Sequence, residues 1–196
     1  MQGAFISALT YQPPVVLGRQ LLHFSPWHGL MLEAAGSPYL VEGKTTVADM
    51  IYGVWVCSTS FSEGYAKAGD GIGASKWGKK EKRSDRTEAK ALFDEYIIKS
   101  FACPDYWSTG GGAQLKAPYW WHLALFGQNV LGLSEAKAWD HPIMKLVCYR
   151  ACDAESNGWD KLKTENEMEG SRVLRADMEK EEADKNNNAA RKTRMK

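Results

Sequence analysis

The sequence predicts a mainly α-helical protein: a compact bundle of about six helices, an irregular N-terminal segment and a charged C-terminal helix or tail. Three observations predict it. Apolar residues recur at helical spacing in segment after segment, as in Leu92, Phe93, Tyr96, Ile97 and Phe101. Serine, threonine or proline stands where most of these segments begin, supplying N-caps and first-turn residues. Glycine or proline stands where they end. A hydrophobic share of 44% and eight tryptophans in 196 residues give such helices a core to pack around.

The elements follow in order. Residues 1–24 read as extended or irregular, because they hold Pro13, Pro14 and the run VVLGRQLLHF. Ser25-Pro26-Trp27 opens the first helix, which Gly36-Ser37-Pro38 ends. Thr45 or Thr46 caps a second, TVADMIYGVWVCSTSFSEG, with Asp49 placed to answer the cap and Gly64 as its stop. Residues 65–83, rich in glycine and lysine, read as a loop. Ser84 or Asp85 starts a third helix that Cys103-Pro104 stops. A glycine-rich linker spans 108–117, and Pro118 then opens PYWWHLALFGQNVLG. Ser134 caps SEAKAWD, and Pro142 opens the last helix of the bundle, with Gly158 beyond its end. The organisation is thus 1–24, a helical domain over 25–158, and a charged segment over 159–196. The last eleven residues hold four basic and no acidic side chains.

The formal net charge of +1 supplies no global field toward nucleic acid or membranes. No stretch approaches the ~20 apolar residues that span a bilayer. The N-terminus lacks a cationic region followed by an apolar run, so no signal peptide is expected. The expected location is the cytoplasm, with a virion as the alternative.

Residues 69–80, GDGIGASKWGKK, come one residue short of the phosphate-binding loop G-x-x-x-x-G-K-[ST]. Three requirements fail. No apolar strand precedes the loop, Lys80 stands where a hydroxyl should hold magnesium, and no amphipathic helix follows at once. Nucleotide binding is not expected. The segment KWGKKEKRSDR nevertheless holds six basic and two acidic residues. It reads as a solvated loop, as a docking patch for an acidic protein, or as a nucleic-acid contact over 76–86. In the last case Trp77 stacks on a base and Lys76, Lys79, Lys80 and Arg83 meet phosphates.

Cys148 and Cys152 stand one helical turn apart, but a zinc site needs two more ligands, and His122, His141 and Cys103 lack ligand spacing. Cys57 lies in an apolar run and reads as a core thiol. Reduced thiols and no metal or other cofactor are expected. No G-x-S-x-G or H-E-x-x-H appears. Asp140 reads as a cap for the helix opened by Pro142, and His23 and His28 as satisfied histidines in an aromatic cluster. No nucleophile has a plausible base, so an enzyme is not expected. Tyr119, Trp120 and Trp121 occupy consecutive positions, which point around a helix. They cannot all face one core, so at least one is expected at a surface or interface.

Two stretches carry a resemblance. LLHFSPWHGLMLEAAGSPYLVEGKTTVADMIYGVWVCSTSFSEG and GLSEAKAWDHPIMKLVCYRACDAESNG resemble small proteins encoded among the tail genes of tailed phages and prophages. The layout is similar to tail assembly chaperones, which bind the tape-measure protein before the tail tube polymerises. The similar regions, roughly 20–64 and 118–158, cover about half the chain. The resemblance implies a phage-encoded protein that binds another protein and carries no catalytic residues. Two alternatives stay open: a phage inhibitor of a host defence system, of the anti-CRISPR kind, and a structural component of the virion.

Overall fold

A computed structural model describes residues 3–41, 43–80, 86–104, 106–108, 117–164, 166–173, 178 and 180. The described chain is mainly helical. Its elements are α1 (Gly3–Thr10), β1 (Val15–Val16), β2 (Arg19–Gln20), α2 (Pro26–Ala34), α3 (Val47–Cys57), α4 (Tyr65–Ala68), α5 (Gly71–Lys80) and α6 (Arg86–Ser100). They continue with β3 (Tyr106–Ser108), α7 (Tyr119–Asn129), α8 (Glu135–Asp140), α9 (Ile143–Ser156) and β4 (Asp160–Leu162). No described helix is long and apolar enough to cross a membrane.

Caps set most boundaries. Asp49 Oδ2 accepts from the Thr46 amide at 2.8 Å, and Thr46 Oγ1 accepts from the Asp49 amide at 3.3 Å, a capping box that starts α3. Ser25 begins α2, with Pro26 in its first turn. Pro118 and Pro142 occupy the cap positions of α7 and α9. Gly36 and Gly158 follow α2 and α9 with φ of +64° and +70°, the left-handed turn that glycine adopts freely.

Leu21 to Phe24 form an irregular thread whose Leu21 and Phe24 side chains are buried in the core, and three of its backbone hydrogen bonds are long-range. The Leu22 amide donates to the Cys57 carbonyl at 2.9 Å, the Tyr96 hydroxyl donates to the Leu22 carbonyl at 2.9 Å, and the Ile143 amide donates to the Phe24 carbonyl at 2.8 Å. A buried irregular segment needs such partners for its backbone groups. The Phe24 ring sits 5.1 Å from Phe101 and 6.1 Å from Trp120, between the end of α6 and the start of α7. Around this thread pack Leu32 of α2, Met50 and Val54 of α3, Phe93 of α6, Leu123 of α7 and Leu146 of α9, all buried.

The structure corrects four expectations of local structure. Residues 1–24 are not simply extended: α1 packs on α9, and β1 and β2 pair through a tight Leu17-Gly18 turn in which both φ angles are positive. The second helix does not run to Gly64. The Ser58 and Thr59 hydroxyls donate back to the Trp55 carbonyl at 3.0 and 2.9 Å, competing with backbone donors, and α3 ends at Cys57. Residues 65–68 and 71–80 are helical, as α4 and α5, where a loop over 65–83 was expected; 81–83 lie outside the described residues. Lastly, the segment after Trp159 contributes β4, which pairs antiparallel with β3. A Thr164–Glu167 capping box then opens the helical residues 166–173. Most of the 108–117 linker lies outside the described residues.

Candidate functional site

The question raised by GDGIGASKWGKK is settled by the backbone. From Gly71 to Lys80 the chain is helix α5, not the strand-to-helix loop whose amides wrap a phosphate. The Gly73 amide donates to Asp70 Oδ1 at 2.8 Å. Glycine disfavours helix, but here it allows close packing. A Cβ at Gly78 would lie 2.5 Å from Ile51 Cγ2, so α5 approaches α3 through Ala74 and Gly78, both buried.

This packing sorts the residues of the cationic segment. Trp77 turns inward, away from the lysines. The Arg19 guanidinium lies 4.1 Å from the Trp55 ring and 4.7 Å from the Trp77 ring, and Arg19 Nη1 donates to Ser58 Oγ at 3.0 Å. Trp55 Nε1 donates in turn to the Lys67 carbonyl at 2.8 Å. Trp77 is therefore held in an internal cation–π clamp that fastens α5 to α3 and to the hairpin. Lys76, Lys79 and Lys80 are exposed, and none is ion-paired among the described residues. Arg83 lies outside the described residues. Between α3 and α5 runs a cleft of about 300 Å³, floored by Ile51 and Tyr52 and rimmed by Ala48, Ser75 and Lys79.

The aromatic triplet divides as the geometry of consecutive helical positions demands. Trp120 is 6% exposed, whereas Tyr119 and Trp121 are 41% and 45% exposed. Trp120 Nε1 donates to the Glu33 carboxylate, and its ring lies over Gly29 of α2, where a Cβ would meet ring carbons at 2.4 Å. Trp121 rests edge-on against the buried Trp139 of α8, with ring centroids 4.9 Å apart. Leu125, one turn on, is 45% exposed. With Pro118 these residues form an apolar stripe on the outer side of α7, a helix that carries no Asp, Glu, Lys or Arg.

The titratable groups near the core are occupied structurally. His28 is buried. Its Nδ1 accepts from the Ser25 amide at 3.2 Å, and its Nε2 donates to the Thr59 carbonyl at 3.1 Å, which fixes the neutral tautomer. Burial lowers its pKa to about 4. The Cys57 thiol is pushed up to about 12 by burial, partly opposed by its bond with Tyr96. Asp140 does not cap α9: its Oδ1 accepts from the Phe61 amide at 2.7 Å and ties the turn after α3 to the end of α8. None of the four cysteines is in a disulfide. Burial pushes Cys148 up to about 11, with smaller contributions from Cys103 and Cys152. Among the described residues no three His, Cys, Asp or Glu side chains gather as metal ligands.

No protein-family model matches the chain, nor does any curated protein or solved structure.

Proposed function

We propose that this chain is a phage-encoded, non-catalytic protein-binding protein, and that it acts as a tail assembly chaperone on a long helical partner of the tape-measure kind. One observation carries the binding: the apolar stripe of Pro118, Trp121 and Leu125 on the solvent side of an uncharged helix. Its spacing suits the apolar face of an amphipathic helix, which would lie along α7 and cover it. Large aromatic anchors beside a buried partner ring, as Trp121 stands beside Trp139, are the residue type that dominates protein interfaces. The setting among tail genes rests on the resemblance of residues 20–64 and 118–158.

The test is co-purification from the native phage or prophage background, comparing the wild-type chain with Leu125→Glu. The expected result is one long helical tail protein, recovered with the wild type, lost with the variant, and accompanied by none of this chain in mature particles. A host nuclease complex in its place would overturn the chaperone role in favour of a defence inhibitor. Abundant chain in purified particles would overturn it in favour of a virion component.

A further inference from the structure

The cleft between α3 and α5 shares no residue with the α7 stripe. We infer that it is a second docking site, which takes an acidic protein segment carrying one apolar anchor residue. The floor is apolar, formed by Ile51 and Tyr52, and at about 300 Å³ it has room for one large side chain. The rim is cationic on one side. Lys79 lines the cleft, and Lys76 stands about one turn before it on α5. Neither lysine is ion-paired among the described residues.

Charge complementarity and the apolar surface beside it choose the occupant. Ile72, 70% exposed, stands one turn before Lys76 on the same helix. An acidic peptide can place carboxylates on the lysines and its apolar side chains on this surface. A nucleic acid could meet the lysines through its phosphates, but it carries no aliphatic side chain to fill the apolar floor beside Ile51, which a peptide does.

The experiment measures fluorescence anisotropy of a labelled peptide built of glutamate and aspartate around one central phenylalanine, titrated with the full chain. Controls are the same peptide with alanine at the centre, a lysine-rich counterpart and a labelled single-stranded DNA. The acidic phenylalanine peptide binds, more weakly as salt rises. Binding weakens roughly tenfold when the phenylalanine is replaced, and roughly tenfold with Lys79→Glu. Ala48→Trp and, independently, Ser75→Trp plug the cleft from its two walls and weaken binding similarly, while circular dichroism shows each variant folded. Equal binding of the phenylalanine and alanine peptides overturns the inference. So does tighter binding of DNA or of the basic peptide, unchanged binding when both plugs are folded, or no peptide binding at all.

Discussion

Gly29 supplies the sharpest test of the packing. It lies within α2, where intrinsic propensity favours alanine over glycine by about 1 kcal/mol. On propensity alone Gly29→Ala stabilises the protein. The structure gives the opposite sign. The new Cβ would stand 2.4 Å from Trp120 Cδ2 and Cε3. Carbon atoms in contact sit roughly 3.5–4.0 Å apart, so the indole must retreat by more than about 1 Å. It has nowhere easy to go: Phe24 is 6.1 Å away, Phe101 6.3 Å and Tyr119 5.6 Å, and Nε1 is held by Glu33. Overpacking of this kind costs about 1–3 kcal/mol, and partial expulsion of a buried tryptophan raises the cost toward about 4 kcal/mol. After the propensity gain, a net loss of about 2 kcal/mol remains. For a chain of this length that lowers Tm by roughly 4–8 °C. Guanidinium or thermal unfolding of Gly29→Ala measures it directly. A double-mutant cycle with Trp120→Ala assigns the cause, because removing the ring leaves Gly29→Ala neutral or stabilising. An unchanged or raised midpoint in the single variant, or the same loss in both backgrounds, would refute the reasoning.

Other outcomes follow from the same structure. His28 is neutral and buried, with a folded pKa of about 4 against an ordinary value of 6.5. The unfolded chain therefore takes up its proton first. This contribution is fully present above pH 6.5 and is lost as pH falls toward 4, by on the order of 3 kcal/mol. His23 and His141, also lowered by burial, add to the same slope. Urea midpoints taken across that range should fall, and His28→Gln should flatten the fall. Arg19→Ala should open the clamp on Trp55 and Trp77 at a cost of about 1–2 kcal/mol, with a change in tryptophan near-ultraviolet circular dichroism. Thr46→Ala breaks the capping box of α3 and should cost about 1 kcal/mol by chemical denaturation.

What the sequence made legible were features written locally. The Thr46–Asp49 box, the Ser25-Pro26 start, the two proline-opened helices and the division of Tyr119, Trp120 and Trp121 between core and surface all depend on residues a few positions apart. The errors came where distant residues decide. Residues 71–80 look like a loop until Ile51 is set against Gly78; only the spacing of Gly71, Ala74 and Gly78 along one side hinted at a packed helix. Trp77 looked available because its partner Arg19 is 58 positions away, in a hairpin whose strands are two residues each. Asp140 followed the same pattern, serving the amide of Phe61 across 79 positions rather than its own neighbours. The Thr164-x-x-Glu167 box, by contrast, is written locally, in a segment whose mixed charge reads as a solvated helix or tail.

The thread from Leu21 to Phe24 has a consequence for synthesis on the ribosome. It is made early, yet its backbone waits for Cys57, Tyr96 and finally Ile143. At translation rates of about 5–20 residues per second, the last partner is made on the order of ten seconds after the first. Through that interval Leu21 and Phe24 have no finished core to enter, and an N-terminal fragment ending before α9 lacks the amide that closes it. Helical proteins usually fold fast because their contacts are local. Here the innermost contacts are among the least local, so the nascent chain stays open until α9 has emerged, and truncation within α9 should abolish the fold rather than shorten it.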